Sequence, residues 1–271
     1  TLIIGIEVIQ MTYKCVFSDI DGTLLNSNHQ ISERTKNKIQ ELYQSDIPFV
    51  IVSARMPKGM SYFLDELKIK EPMVCYSGGL ILDENKEVIY SKGFSVEMAK
   101  RLFEYIKYYY QVPVSFYIEN RWMVDEIDEG IKEESKITGL TPEILDLTNV
   151  QKVHKLLIIA DKNIIEQLEM SLKEKFTGLK IYKSKDTYLE IMDESVSKAS
   201  AIQFLCDKMK IGLHQTVSFG DNYNDLDMLL LTGKGFAMAN GAQGVLESIP
   251  THTLSNDEDG IVYALENLVG E

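Results

Sequence analysis

Cysteine is scarce in this sequence: 3 residues in 271, at positions 15, 75 and 206, with no CxxC pair. That spacing excludes a disulfide framework and a cysteine-rich metal module. Cys15, Cys75 and Cys206 are expected to be buried free thiols of a reducing, cytoplasmic compartment. Histidine is sparse too, and the 4 residues are scattered, which argues against a zinc site. Positive charge is outweighed, with 28 Lys and Arg against 41 Asp and Glu, and no basic block offsets the net charge of −13. Binding to nucleic acid or to an anionic membrane surface is therefore not expected. Long apolar runs are missing as well. The apolar segment TLIIGIEVIQ (residues 1–10) is too short to span a bilayer, and it lacks a basic n-region and a small-residue cleavage site. Met11 follows directly, so residues 1–10 are expected to precede the native start or to be an artificial addition, with a short extra strand as the alternative. No internal repeat or low-complexity tract is present.

What remains is ordinary globular material, 45% hydrophobic and 25% charged, enough for one large domain or two modest ones. Strands and helices alternate at both ends of the chain. Tyr13–Ser18 is a short apolar run suited to a buried strand, and Ser32 can cap a helix whose inner face carries Ile39, Leu42 and Tyr43. Phe49–Val52 and Met73–Tyr76 are further strand candidates. Late in the chain the pattern predicts a helix over Lys198–Met209, a strand over Val217–Phe219 and a helix near Leu226. Such alternation predicts an α/β fold with a parallel sheet covered on both faces.

The middle reads differently. Leu80–Tyr90 predicts a hairpin turning at Asp83-Glu84-Asn85, and Val114–Val124 a second, turning at Glu119-Asn120. Between them Ser95 can cap a helix bearing Met98, Leu102, Phe103 and Ile106. Val153–Ile159 predicts a strand, and Ile165, Leu168, Leu172 and Phe176 form a helical stripe. Ile181 and Tyr188–Met192 suggest closing strands. Antiparallel signals inside a parallel pattern predict an inserted α/β domain at 83–192 within a discontinuous domain of 11–82 and 193–271. The run Tyr108-Tyr109-Tyr110 is expected to be a half-buried helix end.

Two acidic clusters follow predicted strands, where open α/β sheets bind ligands. The first is Asp19-Ile20-Asp21-Gly22-Thr23. Two carboxylates two residues apart on a glycine turn can converge on one metal ion or one phosphoryl group. Taken alone they read equally as a capped turn, whereas a calcium loop fails on spacing, because Gly22 comes too early and no glutamate closes the loop. The second is Gly220-Asp221-Asn222-Tyr223-Asn224-Asp225. A helix cap accounts for one Asp or Asn there, but not for two of each within five positions. Ser53-Ala54-Arg55 follows the second strand and Lys198 opens a late helix. Singly, each reads as a turn or surface residue.

Taken in order, DxDGT, Ser-x-Arg, Lys and GDxxND resemble the haloacid dehalogenase superfamily. The inserted segment is similar to the large α/β cap of its Cof-type, class IIB phosphatase branch. The resemblance covers residues 12–271 and includes Phe236–Gly241 and Ser255–Gly260. It implies a Rossmann-like core with Asp19 as nucleophile and Asp21 as general acid and base. It further implies Mg2+ held by Asp19, the Asp21 carbonyl and Asp221, with Asp225 on its water shell. Ser53, the amides of Ile20 and Ala54, Lys198 and Asn224 would grip the phosphoryl oxygens. Acid/base capacity at Asp21 fits phosphate-ester chemistry rather than dehalogenation or ion transport. The expected substrate is a small phosphorylated metabolite, either a sugar phosphate or a phosphorylated cofactor such as pyridoxal phosphate or FMN. A phosphomutase of the phosphomannomutase type and a non-catalytic phospho-ligand sensor are the alternatives. Ala54, Ser77-Gly78-Gly79, Ala199 and Asn222 depart from the commonest family pattern, all but Asn222 by small residues. The oligomeric state is not legible in the residues.

Overall fold

The computed structural model describes residues 13–268, so the expectation for residues 1–10 lies outside the described residues. The chain divides into two compact units. Among the described residues, one contains 13–52, Leu67–Glu71 and 202–268; the other contains Ser53–Glu66 and Pro72–Ala201.

The first unit is built on parallel strands in the order Lys234–Ala237, Thr216–Gly220, Cys15–Ser18, Phe49–Val52. Val16 pairs with Val217 on one side and with Phe49 on the other. The strands Cys15–Ser18, Phe49–Val52 and Thr216–Gly220 are buried along their whole length, as a sheet covered on both faces requires. The Glu33–Gln44 helix starts where Ser32 accepts a hydrogen bond from Thr35 N at 3.0 Å. It buries Thr35, Ile39 and Leu42. Ile39 and Leu42 each contribute roughly 1.5–3 kcal/mol by leaving water. Tyr43, expected on the inner face, is instead 36% exposed, because it lies one residue past Leu42 and so about 100° round the helix.

The second unit contains the whole of 83–192. The hairpin Leu80–Leu82 and Val88–Ser91 forms as expected, and Met73–Cys75 pairs antiparallel with its first strand. A larger sheet runs Leu179–Lys185, Tyr188–Asp193, Lys155–Ile159, Ser115–Ile118, Arg121–Val124, Glu143–Ile144. Only its last pair is parallel. The helices Val96–Tyr109 and Lys162–Lys175 place Leu102, Ile106, Leu168 and Leu172 in one core with the sheet residues Phe116, Ile158 and Ile191.

Three features depart from expectation. The strand predicted over Val153–Ile159 is two strands, Lys152–Val153 and Lys155–Ile159, broken at His154. There Nδ1 accepts from Glu119 N at 3.1 Å and Nε2 meets Ser91 Oγ at 3.0 Å, so the residue serves two partners instead of continuing one strand. The helix Glu129–Thr138 had no clear stripe, since its buried positions are only Ile131 and Glu134. Its signals are polar: Asp128 caps it, accepting from Ile131 N, and Gly139 ends it in a left-handed conformation. Tyr108 and Tyr109 end their helix at 76% and 60% exposure rather than half-buried.

Candidate active site

Asp19 is the first residue beyond the Cys15–Ser18 strand. Its N–H donates to Phe219 O at 3.0 Å, which keeps it in step with the neighbouring Thr216–Gly220 strand. The chain then turns through Ile20–Leu24, closed by Leu25 N donating to Ile20 O at 2.9 Å. Gly22 has φ +82°, and a Cβ there would stand 2.5 Å from Asp221 Oδ2. A side chain at this position would be strained and would also collide with the second acidic loop. The two loops are tied together directly, because Thr23 Oγ1 donates to Asp221 Oδ1 at 2.9 Å.

The second loop is shaped by Asp225. Its Oδ2 accepts from the N–H groups of both Asp221 and Asn222, each at 3.0 Å, and the side chain is fully buried. Asn222 accepts from Tyr223 N at 2.8 Å, and Asn224 sits half-buried in the Tyr223–Asp225 turn. Adjacent strand ends thus bring Asp19, Asp221 and Asp225 together. One carboxylate oxygen from each lies within 4.8 Å of the other two. At an effective dielectric near 20, like unit charges at such a separation repel by roughly 3–4 kcal/mol per pair. Carboxylate oxygens are hard donors, suited to a divalent cation such as Mg2+, so the residues fit the metal that the family resemblance implies. Asp21 lies in the same turn with its side chain exposed, and Ile20 is buried.

A supporting ring was not identified from sequence. Asn240 Nδ2 donates to Gly22 O at 2.8 Å, and Asn240 Oδ1 accepts from Asn256 N at 2.9 Å. Asn256 Nδ2 in turn donates to Leu25 O at 2.8 Å, and Ser27 N donates to Asp257 Oδ1 at 2.8 Å. Ala242 N donates to Asp221 O at 2.8 Å. The two asparagines lie in the segments Phe236–Gly241 and Ser255–Gly260, which are part of the family resemblance. Their amide side chains were the signal that they brace the first acidic loop.

Ser53, Ala54 and Lys198 belong to the second unit. Ser53 follows the Phe49–Val52 strand and is 2% exposed; its N–H donates to Val74 O at 2.9 Å, and its carbonyl accepts from Ser77 N at 2.8 Å. Ser77 leads into Gly78, whose φ is +108° and where a Cβ would stand 2.2 Å from Ser197 O. Ser197 Oγ accepts from Ser200 N at 3.0 Å at the start of the Lys198–Met209 helix. The glycine approach thus brings the turn after Ser53's partner against the residue preceding Lys198. Lys198 itself is fully buried.

The family described as haloacid dehalogenase-like hydrolase matches residues 16–265. A protein of Haemophilus influenzae named as a candidate phosphatase is 36% identical over 265 residues, covering 94% of this chain and 98% of that one. The HMP-PP phosphatase of Cronobacter sakazakii is 25% identical and covers 86% of each chain. Among solved structures, a haloacid dehalogenase subclass IIB sugar phosphatase superposes with a TM-score of 0.80 at 22% identity, over 94% of this chain and 98% of that one, a likeness of fold.

Proposed function

Because this chain belongs to the haloacid dehalogenase-like hydrolase family, we propose that it is a Mg2+-dependent phosphatase in which Asp19 is the nucleophile. The observation that carries the reading is the convergence of Asp19, Asp221 and Asp225 at the ends of adjacent parallel strands. The Asp19 carboxylate attacks phosphorus in line, so that an O–P bond forms to Asp19 as the bond to the leaving oxygen breaks. Asp21 donates its proton to that leaving oxygen. It then takes a proton from the water that attacks phosphorus, and the bond to Asp19 breaks to release phosphate. The exposure of the Asp21 side chain suits a group that meets both leaving group and water.

Asp19, the Asp21 carbonyl and Asp221 would hold the ion. Asp225, whose Oδ2 already accepts two amide hydrogens, is assigned to its water shell. When bound, Mg2+ supplies positive charge that offsets the carboxylates and the incoming phosphate. Lys198, Ser53, Asn224 and the amides of Ile20 and Ala54 are assigned to the phosphoryl oxygens. A small phosphorylated metabolite is the proposed substrate class, in keeping with the name of the Cronobacter relative. Cys15, Cys75 and Cys206 are free and buried, which supports the proposal of a reducing cytoplasmic setting.

The test is release of phosphate from p-nitrophenyl phosphate. Release is expected with Mg2+, to stop when the ion is chelated, and to fall to background in Asp19→Asn. An Asp19→Asn protein as active as the wild type would remove Asp19 from the chemistry.

A further inference from the structure

The Ser53–Arg55 bend is held by a side chain that the mechanism above does not use. Three successive carbonyls each meet a donor. Ser53 O accepts from Ser77 N at 2.8 Å, Ala54 O from Lys155 Nζ at 3.4 Å, and Arg55 O from Tyr76 N at 3.1 Å. Two of these donors are backbone amides; the middle one is an ammonium from the inserted segment. The peptide between Ala54 and Arg55 is planar, so fixing its carbonyl also fixes its N–H. That N–H donates to Ser53 Oγ at 3.2 Å. With one lone pair of the hydroxyl oxygen so occupied, the Ser53 O–H must point elsewhere. Meanwhile the Ala54 N–H donates to no acceptor among the described residues.

Lys155 opens the Lys155–Ile159 strand and is 7% exposed. A buried ammonium is costly unless paired, and Lys155 is paired on two sides. The Glu190 carboxylate lies 3.4 Å away, and the Tyr117 ring centre 4.7 Å away. Glu190 is itself steadied by Tyr182, whose hydroxyl donates to it at 3.1 Å. Burial, then Glu190, push the Tyr182 hydroxyl well above its ordinary pKa, so it stays a donor. A buried ion pair of this kind adds little to stability compared with apolar side chains of the same volume. The contact with Ala54 is what distinguishes Lys155 from a packing residue.

We propose that Lys155 is a positioning residue for phosphoryl binding: by holding the Ala54 carbonyl it fixes the Ala54–Arg55 peptide plane, whose N–H orients the Ser53 hydroxyl toward a phosphoryl oxygen. This rests on the assignment of Ser53 and Ala54 to the phosphoryl group made above.

The experiment measures KM and kcat for p-nitrophenyl phosphate, and Ki for inorganic phosphate, at saturating Mg2+. It compares the wild type, Lys155→Met, Lys155→Arg, Ser53→Ala, the double variant, and Lys162→Met as an exposed control. Lys155→Met is expected to raise KM and Ki by about tenfold and to lower the melting temperature, because Glu190 is left buried without its partner, and Lys155→Arg to recover KM and Ki to within about threefold. In the Ser53→Ala background the same change should add less than about twofold, because the group it positions is gone. KM and Ki unchanged in Lys155→Met, or its full effect persisting on top of Ser53→Ala, would overturn the proposal. Should Lys155→Met fail to fold, Lys155→Gln is read against the same two outcomes. A wild-type protein that neither cleaves the ester nor binds phosphate would overturn the phosphatase reading itself, and this inference with it.

Discussion

At the scale of single residues, the first acidic loop depends on what is missing at position 22. Gly22 occupies the left-handed region, where an L-residue costs about 1–2 kcal/mol, and its α-carbon faces the Asp221 carboxylate. Thr23, next in the chain, holds that same carboxylate through Oδ1. Gly22→Ala is therefore expected to displace Asp221 rather than merely to loosen the turn. The concentration of Mg2+ giving half-maximal activity should rise by about tenfold, equivalent to ~1.4 kcal/mol of lost ion binding. Thr23→Val, which removes one hydrogen bond and keeps the shape, should move it less, by a few-fold. A Mg2+ titration of phosphate release measures both. A Gly22→Ala profile lying on the wild-type curve would mean that Asp221 is not held by this packing.

At the scale of elements, local signals were legible wherever a single interaction decides the outcome. Ser32 and Ser95 cap helices as their positions predict, and the Glu119-Asn120 turn joins its two strands. The acidic loops were legible for the same reason, since each follows directly on a buried apolar strand. His154 shows what was not legible. Its strand break depends on Glu119 and Ser91, 35 and 63 residues away, and no local pattern carries that information. Because the Glu119 N–H donates to Nδ1, the ring is neutral with its hydrogen on Nε2. Burial, then the Lys152 charge, push its pKa down to about 4 from an ordinary 6.5. The unfolded chain thus binds a proton that the folded one refuses between those values. His154 favours the folded state fully above pH 6.5, and that contribution is lost as pH falls from 6.5 to 4. The loss is of the order of 3 kcal/mol. Denaturant midpoints across this range should fall more steeply in the wild type than in His154→Gln, once carboxylate effects common to both are subtracted. Parallel curves would show that the ring is protonated in the fold.

At the scale of the whole molecule, an acidic chain must handle an anionic substrate, and net charge alone would oppose it. The formal charge of −13 disfavours any anion at long range, but within a salt-screened distance of about 8–10 Å the local arrangement decides. In the first unit that arrangement gathers three carboxylates at the ends of adjacent parallel strands, which concentrates repulsion there. On the proposed reading, this repulsion costs stability that a bound cation would return. The family resemblance made the identity of these residues legible, yet not the bracing by Asn240 and Asn256, which depends on contacts across 218 and 231 residues. The coupling predicts that Mg2+ stabilises the fold by mass action, by about 2.7 kcal/mol at 100 times its dissociation constant. For a protein of this size that is a rise in melting temperature of roughly 5–10 °C. Asp221→Asn should melt higher than the wild type without the ion, because one repelling charge is removed, and should gain little when Mg2+ is added. Thermal denaturation of both proteins with and without Mg2+ reads the two effects together. A wild type whose melting temperature ignores Mg2+, or an Asp221→Asn variant that gains as much from the ion, would mean that the three carboxylates are not where the cation binds.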